Sequence, residues 1–247
     1  MAIQMNLPPL RLNPALQPTD YASEYAAKKF VQIPNIFEPQ TASAILDALQ
    51  QLPWRLCYHD PERGAVQLTQ QDIQEIGQAN MSEIIQKVMA LASRNHGYCY
   101  NTYHLTQEQK SDPGHQIHKL TELLQSHDFL SFGGAIIGHD NLTQVDAHAT
   151  LYSRGSFLTR HIDDGLNRER RAAYTLSFCQ NWQTDWGGLL MFLDKQTTDV
   201  TSAWVPRFNT LTIFDGLRVH SVSPVSTFAG AGRYSIAGWY RDDPVAK

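Results

Sequence analysis

The chain has 247 residues, 42% of them hydrophobic, enough to bury one substantial core and within the single-domain range of all-β architectures. Its 20 Lys and Arg against 24 Asp and Glu leave a formal charge of -4, so no basic field is available to neutralise a nucleic-acid backbone, and no nucleic-acid partner is expected. The longest weakly polar run, Phe129 to Gly138, is about half of the ~20 residues that a membrane-crossing helix needs, so no membrane partner is expected either.

The first 20 residues form a Pro-rich lead (Pro8, Pro9, Pro14, Pro18) without the continuous apolar stretch of a secretory signal. The three cysteines, Cys57, Cys99 and Cys179, are odd in number and never form a C-x-x-C pair, which argues against a disulfide framework and a thiolate zinc site. A reducing, cytoplasmic location is the expectation. Residues 21–140 read as a helical buttress with a Tyr-rich strand. Glu38-Pro39 opens a helix with Ala42, Ile45, Leu46 and Leu49 at helical spacing, and Pro53 stops it. Asp72 to Ser93 reads as one long helix or two, Tyr98 to Tyr103 as a strand, and Ile117 to Leu124 as a helix after the break at Pro113-Gly114. His115 and His118 share i, i+3 spacing, but no third ligand lies near, so a surface pair is the plainer reading.

Residues 141–247 change texture: short β-rich runs alternate with Gly, Asp, Asn and Pro turns. Strands are expected near Asp146–Tyr152, Phe157–Ile162, Ala172–Cys179, Leu189–Leu193, Ala203–Val205, Thr210–Phe214, Val219–Val222 and Arg233–Tyr240. Eight strands match a double-sheet jelly roll, so the expected fold is a mainly β jelly-roll core buttressed by N-terminal helices, one folded unit overall.

Within this core His161-Ile162-Asp163 sends an imidazole and a carboxylate from the same face of an extended segment. With 10 His and 16 Asp in the chain, chance alone supplies about two-thirds of one H-x-D, so the motif is weak by itself. His220, on the seventh expected strand, adds the second imidazole of a two-His, one-carboxylate set, which suits non-haem Fe(II) because it leaves open positions on the metal. Arg233 opens the last strand with Ser235, Ala237 and Trp239 on its face, so a guanidinium is expected to point inward, where it needs an anion. The plainer alternative for Arg233 is an ion pair with Asp215 or Asp242. Tyr174, with Leu176 and Phe178 on its face, could offer that anion a second bond; Tyr174 and Tyr152 could equally be core aromatics. Asp146, His148 and Thr150 share a face with Tyr152 and could line a pocket mouth. In the charged loop Asn167-Arg168-Glu169-Arg170-Arg171, Arg171 is the best candidate to touch a substrate. Trp239 is read as packing first and as a substrate contact second, and Trp186-Gly187-Gly188 as a tight structural turn.

The ordered series Tyr152 and Gly155, His161-Ile162-Asp163, Arg171-Ala172-Ala173-Tyr174, Trp186-Gly187-Gly188, Val205-Pro206, Leu211 to Phe214, His220-Ser221-Val222 and Arg233-Tyr234-Ser235 resembles the prolyl-hydroxylase-like branch of the 2-oxoglutarate/Fe(II) oxygenases. The resemblance covers about Leu151 to Arg241 and implies a double-stranded β-helix, with His161, Asp163 and His220 as iron ligands and Arg233 pairing the 2-oxoglutarate C5 carboxylate. It implies Ser235, Tyr174 and Tyr152 as helpers at the co-substrate. It also implies Fe(II), 2-oxoglutarate and O₂ as requirements, with ascorbate in support. The implied reaction hydroxylates an acceptor, a prolyl residue of a protein or peptide, and releases succinate and CO₂; a free amino acid or other small molecule is the alternative acceptor. Two departures stand out, an extra Gly-rich turn from Phe228 to Gly232 and Phe178 where some relatives place a tyrosine. Competing readings are a zinc hydrolase or isomerase on the same scaffold, lowered because no Glu adjoins the ligands, and a non-catalytic binding jelly roll.

Overall fold

A computed structural model describes residues 7–94, 96–112, 114–165 and 169–244. Its helices are α1 (Thr19–Lys28), α2 (Pro39–Gln50), α3 (Gln70–Ala92), α4 (Leu105–Ser111), α5 (His118–Leu124) and α6 (His127–Ile137). Its strands are β1 (Phe30–Pro34), β2 (Arg55–Asp60), β3 (Gly64–Leu68), β4 (Tyr98–Tyr103), β5 (Gln144–Val145), β6 (His148–Tyr152), β7 (Phe157–His161), β8 (Arg170–Ser177), β9 (Leu190–Leu193), β10 (Val200–Trp204), β11 (Thr210–Phe214), β12 (His220–Val222) and β13 (Arg233–Arg241).

Local chemistry explains the helix ends. Pro39 starts α2, Thr69 and Asp72 form a reciprocal capping box on α3, and the Ser126 hydroxyl accepts from Phe129 N–H at the head of α6. Gly77 breaks the dihedrals of α3 at φ 77°, so the two-helix reading of this stretch is realised as one kinked helix. All three cysteines are buried and unpaired. Among the described residues no helix is long and apolar enough to cross a membrane.

The strands curl into one antiparallel sheet ordered β1-β11-β8-β13-β6-β4-β7-β12-β9-β10, with the β2–β3 hairpin joined through β4 and β5 appended to β13. This is the double-stranded β-helix, with all eight expected strands present. Alternation along β8 decides what each face does: Tyr174 and Leu176 join the main hydrophobic core beneath α2, α5 and α6, while Ala173 packs with Leu190, Phe192 and Phe214 on the inner side. Helix α6 docks closely because Gly133 lacks a side chain; a Cβ there would meet the Tyr240 ring at 2.4 Å.

The segment 21–140 does more than buttress, since it supplies β1 to β4. β1 pairs with β11 over five residues, and β4 bridges β6 and β7. Strand β1, the β2–β3 hairpin and helices α1, α4 and α6 were not expected from the sequence. Phe30–Pro34 is a five-residue run closed by a proline, and only its distant partner β11 makes it a strand.

Candidate functional site

Strand β7 ends on His161 and β12 begins on His220, and the two residues are register partners with ring centroids 4.1 Å apart. Asp163 follows in the loop, pinned by its own N–H donating to Gly216 O (2.7 Å). Its carboxylate lies 3.4 Å from His161 Nε2 and 3.3 Å from His220 Nε2, and one donor atom from each residue falls within 4.8 Å of the others. The Nδ1 atoms lie against backbone carbonyls, His161 on Thr159 O (3.0 Å) and His220 on Arg218 O (2.8 Å). A carbonyl only accepts, so Nδ1 carries the proton and each Nε2 keeps its lone pair for a metal. Burial opposes ionisation of Asp163, but hydrogen bonds from His161 and His220 outweigh it and hold the carboxyl well below the usual range. Two neutral imidazoles and a carboxylate on one face fit Fe(II) and are the groups that would hold it.

This cluster opens on a cavity of about 270 Å³. At its floor lies Arg233, only 4% exposed, whose Nη1 donates to Ser235 Oγ (2.9 Å). Ser235 Oγ is bonded in turn to Thr150 Oγ1 (2.9 Å), and the guanidinium sits 5.0 Å over the Tyr152 ring. Among the described residues no carboxylate pairs with Arg233, and its Nε has no partner. The acids named as alternative partners are engaged elsewhere: Asp215 accepts from Leu217 N–H, and Asp242 pairs with Arg171 and His139. A buried cation left in this state fits an anionic ligand such as the remote carboxylate of 2-oxoglutarate. The Trp186-Gly187-Gly188 turn makes room for it, because a Cβ at Gly188 (φ +62°) would meet Arg233 Cδ at 3.0 Å.

The structure corrects two residues. Tyr174 stands on the opposite face of β8, its hydroxyl donating to Asp146 O (2.9 Å) and its ring packed between Phe129 and Tyr240, so its phenol supports the core instead of a co-substrate. Its companions Leu176 and Phe178 are buried on that same outer side. Arg171 points to the surface, tied to Asp242, because the β8–β13 register shifts between Tyr240 and Arg241 and leaves Arg171 as the extra residue. Arg170 takes the inward place, its guanidinium 3.7 Å over the Trp239 ring, and its Nε and Trp239 Nε1 are buried without partners. Asn167 and Arg168 of the same loop lie outside the described residues.

Tyr152, Trp239, His148 and Thr150 line the cavity, whereas the Asp146 carboxylate is held by Arg241 (2.7 Å). Burial, followed by the nearby His104, pulls His148 down to about 4, so it is neutral near pH 7. Sequence reasoning missed Tyr98 and Tyr100, which β4 carries to the cavity wall, where Tyr100 stacks on Tyr152 at 4.9 Å. Their alternation in Tyr98-Cys99-Tyr100 was visible, but the pairing of β4 between β6 and β7 was not.

The family model of the 2OG-Fe(II) oxygenase superfamily matches residues 147–241. A comparison with curated proteins finds no match. Among solved structures, a 2OG-Fe(II) oxygenase family oxidoreductase from Burkholderia pseudomallei is similar with a TM-score of 0.62 at 13% identity, covering 96% of each chain. A Pseudomonas putida prolyl-4-hydroxylase gives 0.57 at 16% identity over 95% of this chain and 99% of that one. A Trichoplax adhaerens prolyl hydroxylase, solved with a hypoxia inducible factor peptide fragment, gives 0.61 at 18% identity over 91% and 89%. These likenesses show a shared fold, that of the prolyl-hydroxylase-like branch. The stretch that carries the His–Asp–His cluster and Arg233, residues 147–241, is a domain of the 2OG-Fe(II) oxygenase superfamily, which works with Fe(II), 2-oxoglutarate and O₂.

Proposed function

We propose that the protein hydroxylates a prolyl residue of a protein or peptide in an Fe(II)- and 2-oxoglutarate-dependent reaction. The observation that carries this reading is that one cavity joins the His161, Asp163 and His220 cluster to the buried, acid-free Arg233. When bound, iron and 2-oxoglutarate supply the oxidising chemistry, with one oxygen atom going to the acceptor and the keto acid leaving as succinate and CO₂.

The chain's own residues bind, orient and exclude water. His161, Asp163 and His220 would hold the metal by one face. Arg233 would take the co-substrate's remote carboxylate in a charge-assisted bond that contributes about 1.5–3 kcal/mol. Ser235 and Thr150 fix the Arg233 fork, and Tyr152 covers it from one side. The aromatic wall of Tyr98, Tyr100 and Trp239 keeps the interior dry and offers an apolar surface to a pyrrolidine ring. Arg170, in place of Arg171, is the cation beside that wall and a partner for an acceptor's carbonyl or carboxylate. A peptide acceptor is supported by the fold similarity to prolyl hydroxylases, of which the Trichoplax adhaerens enzyme was solved with a peptide.

Mass spectrometry of cell proteins, with and without an active copy of this chain, tests the reading. The expected result is prolyl residues that carry one added oxygen only when the chain is active. A one-oxygen gain on a free amino acid or other small molecule instead would keep the oxygenase and overturn the peptide acceptor. Turnover indifferent to O₂ and 2-oxoglutarate would overturn both and favour a zinc hydrolase.

A further inference from the structure

With Tyr174 turned to the outer core, the co-substrate end of the cavity lacks the second donor expected for a bound carboxylate. The floor supplies another. Alternation on β8 points Thr175 and Ser177 inward, and the flanking strands set Ser177 opposite Ser235 on one side and Thr210 on the other. Ser177 is 7% exposed and Arg233 4%, and Ser177 Oγ and Arg233 Nε both lack a hydrogen-bond partner.

The two residues line one water-sized recess of about 10 Å³, which shares Arg233, Thr175 and Leu190 with the main cavity. Other hydroxyls at this end are already used. Thr210 Oγ1 donates to Phe208 O (3.2 Å), Thr212 Oγ1 accepts from Gln32 Nε2 (3.3 Å), and Ser235 joins Arg233 to Thr150. The neighbouring Cys179 thiol gives its hydrogen to Tyr234 O (3.5 Å). A buried polar atom left unpaired is costly, and a carboxylate between Ser177 and Arg233 would satisfy both groups at once.

We infer that Ser177 is a second anchor for the remote carboxylate of 2-oxoglutarate, its hydroxyl donating to one carboxylate oxygen while the Arg233 fork takes the other. This rests on the 2-oxoglutarate reading above and adds to it a residue from β8. Ser177 holds the co-substrate in place and has no part in the chemistry at the metal.

The test is titration calorimetry on the Mn(II)-loaded protein without O₂, using 2-oxoglutarate and 2-oxopentanoate, a five-carbon keto acid that ends in a methyl group instead of the carboxylate. Ser177→Ala is expected to weaken 2-oxoglutarate about fivefold to twentyfold and to leave 2-oxopentanoate unchanged, and Ser177→Thr to restore the loss. If Ser177→Ala binds 2-oxoglutarate as the parent does, or weakens both ligands alike, the assignment falls. Arg233→Gln separates the two levels. Loss of the preference for 2-oxoglutarate in that variant, with Ser177→Ala silent, overturns the Ser177 anchor alone. A parent protein that binds the two keto acids alike overturns the co-substrate reading, and the anchor with it.

Discussion

The floor and the mouth of the same cavity are built by different rules. At the floor, Arg233, Ser235, Thr150 and Ser177 sit on strands in unbroken register, so alternation alone says which side chains turn inward. At the mouth, Arg170 and Trp239 meet where the register shifts by one residue, and the neighbouring arginine is thrown to the surface. A shift of one place exchanges the two faces of a strand, so neighbours on such a stretch cannot be assigned by counting. The floor is therefore rigid and polar, and the mouth is where a substitution or slip changes what is recognised without disturbing the metal side.

The largest expected effect lies between the two, at the metal cluster. Asp163→Ala should weaken divalent-metal binding by at least about a hundredfold, because the carboxylate bridges both imidazoles. Calorimetry with Mn(II) reads the loss, and an unchanged circular dichroism spectrum separates it from unfolding.

Gly188→Ala tests the floor's rigidity. The new Cβ faces Arg233 Cδ at 3.0 Å on a backbone at φ +62°, so denaturant unfolding should show a loss of about 1–2 kcal/mol together with weaker 2-oxoglutarate binding. A stability loss with untouched co-substrate affinity would mean that Arg233 is not positioned by this turn.

His148, which faces His104, Asp163 and Arg170 between floor and mouth, has a folded-state pKa near 4 against an ordinary value of 6.5. The unfolded chain therefore binds the extra proton first. Its contribution to stability is whole above pH 6.5 and is lost as the pH falls towards 4, by about 1–2 kcal/mol once the water in the cavity is allowed for. His148→Gln should flatten the stability profile in that window, and an unaltered profile would show that the imidazole does not resist protonation there.

The smallest effect is the sharpest test of the contrast at the mouth. Arg170→Ala should raise the KM for the acceptor about fivefold through loss of a cation stacked on Trp239, while Arg171→Ala removes only a surface ion pair and leaves KM within about twofold. Equal effects would erase the distinction drawn from the register shift.

Much of this was legible in the linear chain, for identifiable reasons. The eight core strands announced themselves by alternation and turn residues. His161 and Asp163, two places apart, needed no partner to share a face, and the inward parity of Arg233 followed from an uninterrupted strand. What failed depended on contacts far apart in sequence. Tyr174 was placed at the co-substrate although its outward companions Leu176 and Phe178 already marked a core face. Arg171 was preferred to Arg170 because a bulge cannot be seen without the opposing strand. Tyr98 and Tyr100 read as strand formers, and only β4 lying between β6 and β7 made them a cavity wall.

By itself, then, the sequence determined the metal-ligating trio, the jelly-roll class and the inward cation, because each rests on spacing within one short segment or on the order of segments. The tertiary structure alone decided which hydroxyl faces Arg233, which arginine reaches Trp239 and how the N-terminal half enters the sheet. Those are set by strand pairing and register, in which residues more than a hundred positions apart share hydrogen bonds that no local pattern encodes.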